Sequence, residues 1–310
     1  MLSEEASTCE AAAMLGAESK AQIPPADSAA DADLPLLVIE PRPGWHFVDL
    51  GELWRCRELL FFLTWRDIKV RYKQTVLGAA WAVLQPLATM IVFTFFLGRL
   101  VANEESPVPY SLFVFTGLLP WTFFSSALSS AGGSIVGNQN MVTKIYFPRL
   151  IIPMSAVGAG LMDLFIGLGM LVVMMFYHTW TGHPPAPGWG LLLLPVLILL
   201  LLIAALGVGI LLAALTVAYR DFRHVVPFMV QIWMFATPAI YIQTQTLGPR
   251  SQTWMPLNPA YGLISNFRQA LLGGDLDFYA LAVSSAVSVG LLIVGCLYFR
   301  RVERSFADII

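Results

Sequence analysis

Long stretches without charged residues divide this chain into regular segments. Asp, Glu, Lys and Arg are all absent between Lys73 and Arg99, and from 107–143, 164–219, 224–249 and 278–299. A helix needs about 20 apolar residues to cross the hydrocarbon core of a bilayer. The stretch 164–219 is long enough for two crossings and is interrupted by a proline-rich segment at 183–188. The pattern therefore predicts six transmembrane helices, at 77–99, 110–135, 150–177, 190–217, 225–243 and 279–299.

The positions of the basic residues predict the orientation of these six spans. From Arg55 onward, thirteen Lys and Arg residues lie before span one, after spans two and four, and after span six, whereas three (Arg99, Arg250, Arg268) lie in the other gaps. Loops rich in Lys and Arg stay on the cytoplasmic side of a membrane. Both termini are therefore expected in the cytoplasm, and the gaps after spans one, three and five outside.

Three segments do not read as simple spans. Residues 1–35 are acidic and polar, which predicts a disordered cytoplasmic tail. The cytoplasmic segment 36–76 contains a charged, aromatic stretch at 50–75, expected to be an amphipathic interface helix with its apolar side down and its basic side toward lipid headgroups. It is either a plain anchor or a lever that touches a cytoplasmic partner. Residues 300–310 form a second cytoplasmic tail.

The external segment 244–278 is long, half-apolar and broken by prolines and glycines. Short helices that re-enter the outer leaflet would explain this pattern. Such backbone is tolerated at membrane depth only where it packs on protein or lines a cavity. The segment is therefore a candidate external gate.

Composition supports an all-α integral membrane protein. Hydrophobic residues make up 57% of the 310 residues and charged residues 12%, with a net charge of −2. Soluble domains carry roughly twice that share of charge, and the charge balance gives no reason to expect a nucleic-acid partner. The three cysteines and four histidines are scattered and predict no metal site. No cleavable signal peptide is visible at the N-terminus.

Candidate catalytic chemistry is sparse. The four lysines do not lie in a phosphate-binding G-x-x-x-x-G-K-[ST] loop, and no metalloprotease, serine-hydrolase or dinucleotide-binding pattern occurs. Asp163 is the clear ionisable residue inside a predicted span. An intramembrane carboxylate is a functional hypothesis by default, but it could equally hold helices together through hydrogen bonds. A single carboxylate is a poor basis for a proton relay.

Six sequence blocks, taken in order, resemble the type-2 ABC exporter permeases, specifically the branch that exports lipid-linked O-antigen, capsular and teichoic-acid-like polysaccharides. The blocks are 64–78 with Trp81 and 84–86, 117–121, 144–149 with 152–153, 219–221, 257–259 with Phe267 and Arg268, and 303–308. Together they extend over roughly residues 38–310. Each block falls at the expected place in the topology that the charge pattern predicts.

The resemblance implies a homodimer around a central conduit in the bacterial cytoplasmic (inner) membrane, docked on two copies of a separate ATP-binding subunit. That subunit would hold ATP and Mg, and this chain no cofactor. The loop between spans two and three would be the coupling helix, with the residues Asn138, Asn140, Lys144, Tyr146, Phe147 and Arg149. The interface helix would be a second contact and an entry-side gate, with the residues Trp65, Arg66, Asp67, Lys69, Arg71 and Lys73.

A sugar polymer needs a path lined by groups that bind weakly and repeatedly, which aromatic rings do well because sugar C–H surfaces pack on them. The candidate conduit aromatics are Tyr110, Phe113, Trp121, Phe124, Trp233 and Tyr241, although any one of them could instead face lipid. The candidate external gate residues are Pro256, Asn258, Pro259 and Arg268.

Two other functions remain open at this point. The same fold could carry a drug, haem or another lipid; the blocks at 65–78 and 144–149 favour the glycan branch. A non-ABC channel or a membrane-bound transferase would need a filter or catalytic carboxylates at the membrane face, and the sequence offers neither.

Overall fold

The computed structural model describes residues 50–73, 80–101, 109–144, 147–181, 188–237, 239 and 253–303. The α-helices of this part are α1 Leu50–Arg55, α2 Arg57–Lys73, α3 Ala80–Val101, α4 Tyr110–Gly137, α5 Gln139–Lys144, α6 Ile151–Trp180, α7 Leu194–Ala218, α8 Phe222–Phe235, α9 Pro259–Leu272 and α10 Phe278–Glu303. Short 3-10 helices occupy Trp189–Leu193 and Met255–Leu257. The predicted tail 1–35 and most of the tail 300–310 lie outside the described residues.

Five of these helices are long and apolar enough to cross a membrane. Among the described residues they are α3, α4, α6, the continuous segment Trp189–Ala218 that ends in α7, and α10. Each overlaps one of the predicted spans at 77–99, 110–135, 150–177, 190–217 and 279–299, of which residues 77–79 lie outside the described part. The all-helical membrane class is confirmed.

The span predicted at 225–243 is represented by α8, which has 14 residues. At 1.5 Å per residue this helix is about 21 Å long, shorter than the roughly 30 Å hydrocarbon core. Residues 238 and 240–243 of the prediction lie outside the described part of the chain. The described helix alone is therefore too short for a crossing.

Helix α4 lies at the centre of the fold. Its apolar side chains are buried around most of its circumference, and Leu112, Phe115, Phe124 and Leu128 have 0% exposure. It packs against α6, α7 and α9. A helix that is apolar on all sides and covered by neighbours forms the core of a bundle.

Small residues bring α7 and α10 into close contact. A Cβ added at Gly207 would lie 2.7 Å from the main-chain nitrogen of Leu292, and one at Gly295 would lie 2.7 Å from the Gly207 carbonyl oxygen. Backbones approach this closely only where no side chain intervenes, which is how helices associate in membranes without a hydrophobic driving force.

The interface helix forms as expected, but its charges are not confined to one side. In α2 the buried Leu63 and the half-buried Asp67 and Arg71 face α6, whereas Trp65 and Lys69 are exposed on the opposite side. Two of its polar residues, Asp67 and Arg71, therefore face protein, because partners on α6 satisfy them away from water. The placement of its apolar side toward lipid and its basic side toward headgroups stays a prediction.

The external segment contains a helix with clear local signals. Asn258 precedes α9 and its side-chain oxygen accepts a hydrogen bond from the Ala260 amide at 3.1 Å; Pro259 occupies the first turn. Gly273 ends the helix at φ 80°, in the left-handed region that favours glycine. Eleven of the 14 residues of α9 are buried, so this helix belongs to the packed bundle.

Candidate functional site

The carboxylate of Asp163 is paired with residues of the interface helix. Arg71 donates a hydrogen bond from its guanidinium to one Asp163 oxygen, and the Tyr72 hydroxyl donates to the other. The side chains of Arg71 and Asp163 are 32% and 25% exposed. Burial, followed by the bond to Asp163, raises the pKa of Tyr72, so Tyr72 remains a protonated donor at neutral pH.

Further polar contacts extend this pairing along α2. Arg71 also approaches the Ser130 hydroxyl on α4 at 3.4 Å. One turn earlier, the Ser155 hydroxyl donates to Asp67 at 3.3 Å. Together, the hydrogen bonds of Asp67, Arg71 and Tyr72 with α6 form a polar line between the two helices, which we call the polar seam. It places Asp67, Arg71 and Asp163, three of the predicted site residues, in one cluster.

The polar seam forms one wall of a cavity of about 570 Å³. Arg71, Tyr72 and Asp163 line it at one side, and Trp81, Gln85 and Pro86 of α3 line another. Helix α4 contributes the hydroxyl groups of Thr122, Ser125, Ser126 and Ser129 to the lining. Helix α8 contributes Pro227 and Val230. The lining can hydrogen-bond a polar or polyhydroxylated molecule through hydroxyl, amide and carboxylate groups.

The predicted coupling loop is joined to the same cluster. Asn138 lies between α4 and α5, and its side chain donates to the Ser134 carbonyl at 2.9 Å. The Arg66 guanidinium donates to the Asn138 side-chain oxygen at 2.9 Å and to Asp67 at 2.8 Å. The interface helix therefore contacts the start of α5 directly.

The outward side of α5 is open to solvent. Asn140 and Lys144 are exposed, while Val142 packs into an apolar cluster with Ile135 and Phe299. One side of this short helix is thus packed against the bundle, and the other side is exposed to solvent. Phe147 is half-buried against the same cluster, and Tyr146 lies outside the described residues.

Arg149 is engaged within the chain. Its guanidinium donates to the main-chain carbonyl oxygen of Glu303, and its backbone amide donates to the Glu303 carboxylate at 3.2 Å. A cation at the C-terminal end of a helix interacts favourably with the unpaired carbonyls there. Arg149 therefore joins the coupling loop to the end of α10, an interaction that the sequence did not predict.

The candidate conduit aromatics occupy two kinds of position. Trp121 and Phe124 are 4% and 0% exposed and belong to the core, where the Phe124 ring meets the Trp233 ring at a centroid distance of 5.4 Å. Tyr110 and Phe113 are half-buried and stack at 6.1 Å, and Trp233 is also half-buried. A ring without exposed surface cannot touch a polymer in this conformation. Tyr241 lies outside the described residues.

Asn258 connects the external segment to α8. Its side chain accepts a hydrogen bond from the Trp233 indole at 2.9 Å and donates to the Thr237 hydroxyl at 3.0 Å. Pro256 and Pro259 are both buried, and the Ser284 hydroxyl of α10 bonds the carbonyl oxygen of Pro256 at 2.9 Å. Ser284 has no motif around it, so sequence reasoning missed it.

Arg268 is buried within the bundle at 5% exposure. Its guanidinium lies 4.0 Å from the Phe113 ring centroid and donates to the Ala239 carbonyl at 2.6 Å. Burial lowers the pKa of Arg268 to about 10, so the side chain is still charged at neutral pH. Gly117 leaves the space for this group, because a Cβ there would overlap the guanidinium.

The comparison with known proteins agrees with this architecture. The family model for ABC-2 type transporters matches residues 58–272. The chain belongs to this family. Family membership makes the ABC-2 protein a transport subunit rather than an enzyme.

Three relatives of this ABC-2 protein align over most of their length. The O-antigen export system permease protein RfbA of Myxococcus xanthus is 32% identical over 260 residues, which is 83% of this chain and 97% of the relative. RfbA of Klebsiella pneumoniae is 28% identical, over 82% of this chain and 95% of the relative. The polysialic acid transport protein KpsM of Escherichia coli is 23% identical, over 74% and 89%.

Proposed function

We propose that this protein is the membrane-spanning permease of an exporter that moves a lipid-linked polysaccharide, such as an O-antigen or capsular glycan, across the bacterial cytoplasmic membrane. The observation that carries the proposal is the full-length similarity to two O-antigen export permeases and a polysialic acid transport protein. The hydroxyl-lined cavity beside the polar seam supports it, because sugars are recognised by such groups together with aromatic rings.

The proposed assembly is a homodimer on two copies of a separate ATP-binding subunit, which supplies ATP and Mg. The sixth span of each copy is the predicted stretch 225–243, of which α8 is the described helix, and both termini are cytoplasmic. From Arg55 onward, the 13-to-three distribution of basic residues supports this orientation. The external segment around α9 acts as the outer gate, with Asn258 and Arg268 fixing it to the spans.

The exposed residues Asn140 and Lys144 of α5 are the proposed contact with the ATP-binding subunit. Lys144 can form a charge-assisted hydrogen bond with a partner carboxylate. Asn138 and Arg149 act differently, because both are bonded within this chain and hold the loop in place. The half-buried rings of Tyr110, Phe113 and Trp233 are the aromatic groups retained as candidates for the polymer path.

Deletion of the gene tests the export function. We expect lipid-linked polymer to accumulate inside the cell and surface glycan to disappear, and a plasmid copy of the wild-type gene to restore both. Unchanged surface glycan and unchanged intracellular polymer would rule the proposal out. Loss of tolerance to a drug or a haem precursor with normal glycan would point to another cargo.

The coupling contact needs a separate experiment. Lys144→Glu should weaken co-purification with the ATP-binding subunit, because the substitution places a negative charge where a carboxylate is expected. Asp275→Lys, which reverses an exposed charge in the external segment, is the matched control and should bind normally. Purified protein without its partner should show no ATP hydrolysis and no glycosyl transfer; either activity would favour a membrane-bound enzyme.

A further inference from the structure

The end of α10 and the start of α6 stabilise each other. Arg149 lies two residues before α6, and its guanidinium donates to the main-chain carbonyl oxygen of Glu303, the last residue of α10. In the opposite direction, the Glu303 carboxylate accepts a hydrogen bond from the Arg149 amide at 3.2 Å. Cations are favoured at the C-terminal end of a helix and anions at the N-terminal end. Each residue therefore places its charge beside the end of the other's helix, and this pair is called the reciprocal cap.

Further contacts hold the reciprocal cap in place. Arg300 lies one turn earlier on α10, and its guanidinium is 3.6 Å from the second Glu303 carboxylate oxygen. The Glu303 side chain is 17% exposed, so protein groups satisfy most of its charge. Phe299, which is fully buried, belongs to the same apolar cluster as Val142 of α5. The coupling loop is thus attached to the end of α10 at two points, Val142 and Arg149.

The other end of α10 is attached to the external segment. The Ser284 hydroxyl is directed at the carbonyl oxygens of Pro256, at 2.9 Å, and Asn258, at 3.1 Å. It also accepts a hydrogen bond from the Gly262 amide of α9 at 3.0 Å. A Cβ at Gly262 would overlap the Ala280 carbonyl oxygen, so α9 and α10 meet backbone to backbone. A displacement of α10 therefore displaces the start of α9.

A single uninterrupted helix joins these two attachments. Residues 284 and 303 of α10 lie about 28 Å apart along the helix axis at 1.5 Å per residue. Proline, the commonest cause of a helix kink, is absent from α10 but present inside α3, α4 and α8. Rigid elements of this kind carry coupling between distant sites.

We propose that Glu303 is the positioning residue that fixes the coupling loop to α10, so that α10 carries movements of this loop to the external segment. The inference rests on the proposed contact between the loop and an ATP-binding subunit. Packing at Val142 is apolar and therefore non-directional, whereas the reciprocal cap fixes both the distance and the orientation of the loop. Glu303 is the first residue of the sequence block 303–308; residues 304–308 lie outside the described part of the chain.

Cysteine labelling of the external segment tests this. The three native cysteines are replaced by alanine, and Ser265→Cys is introduced at a half-buried position of α9. This permease is purified with its ATP-binding subunit in nanodiscs. The rate of labelling by a water-soluble maleimide is then compared without nucleotide and with ATP and vanadate. We expect the two rates to differ by about fivefold or more.

Variants at both ends of α10 assign this response to the helix. Glu303→Ala should reduce the difference to less than about twofold. Ser284→Ala, which breaks the attachment at the other end, should reduce it in the same way. Glu303→Gln keeps an oxygen for the Arg149 amide and should retain most of the response. Glu58→Ala, which removes an exposed carboxylate of α2, is the matched control and should retain all of it.

Two outcomes would overturn the inference. One is a full response in both Glu303→Ala and Ser284→Ala; the other is equal labelling with and without ATP in the chain that carries Ser265→Cys alone. Because Ser284→Ala and Glu303→Gln change few atoms, they keep the inference testable if Glu303→Ala does not fold. Co-purification of the ATP-binding subunit and normal surface glycan, alongside either overturning outcome, would leave the proposed export function standing.

Discussion

Replacing Asp163 by Asn isolates the charge of the polar seam. Asparagine keeps the shape of the side chain and one oxygen for the Tyr72 hydroxyl, but it removes the ion pair with Arg71. Exposed ion pairs contribute about 0–1 kcal/mol, and breaking a buried pair costs about 3–5 kcal/mol. Because these two side chains are 25% and 32% exposed, we expect about 2 kcal/mol of weakened attachment between α2 and α6.

Hydrogen exchange measures that attachment locally. A loss of about 2 kcal/mol increases the open population roughly thirtyfold, so the amides at the C-terminal end of α2 should exchange faster by that factor. Amides in the middle of α10 serve as the internal reference. Asp67→Asn is the matched variant. Asp67 also faces α6, but its contact there is the Ser155 hydroxyl at 3.3 Å, and its ion pair with Arg66 lies within α2, so it should cause a smaller change.

A double variant separates the ion pair from general damage. Arg71→Gln and Asp163→Asn each leave one charge without its partner, whereas the combination leaves two neutral groups. If the two residues are coupled, the free-energy loss measured by exchange in the double variant is smaller than the sum of the losses in the two single variants. Additive effects, or unchanged exchange in Asp163→Asn, would refute the role assigned to the polar seam. In cells, Asp163→Asn should lower surface glycan at equal protein abundance.

Two further predictions concern the external segment. Gly117→Ala should destabilise the protein by ~3 kcal/mol, because the new Cβ overlaps the buried Arg268 guanidinium; thermal unfolding in detergent measures this. Gly133→Ala, which has open space around it, is the control and should not lower the unfolding temperature. Asn258→Ala removes a helix N-cap and the bond to Trp233, with an expected loss of about 2 kcal/mol. Red-shifted tryptophan emission should accompany that loss, and normal stability in Asn258→Ala would contradict the assignment.

The helices were predictable from sequence because charge is costly in hydrocarbon. The prediction 110–135 corresponds to Tyr110–Gly137, and 150–177 corresponds to Ile151–Trp180. Uncharged intervals identify such helices whatever packs around them. Local signals explain the bounds of α9, where Asn258-Pro259 begins the helix and Gly273 ends it.

The surroundings of the predicted site residues were not predictable. Inside a membrane both lipid and protein core are apolar, so hydrophobicity does not distinguish a ring facing lipid from one in the core. Trp121 and Phe124 therefore resembled candidates for a polymer path but are buried. Asp163 is 92 positions from Arg71, and no periodic pattern connects residues that far apart.

The polar seam joins two sites that the sequence analysis treated separately. Arg66 bonds both Asp67 in α2 and Asn138 at the start of α5. One turn later, Arg71 and Asp163 line the cavity. The start of α5 and the cavity wall are therefore connected through one helix, α2, which is bonded to Asn138 at Arg66 and to Asp163 at Arg71. Because Asn138 caps α4 while Asn140 and Lys144 remain exposed, the bond from Arg66 is the point at which the proposed docking at α5 would act on α2.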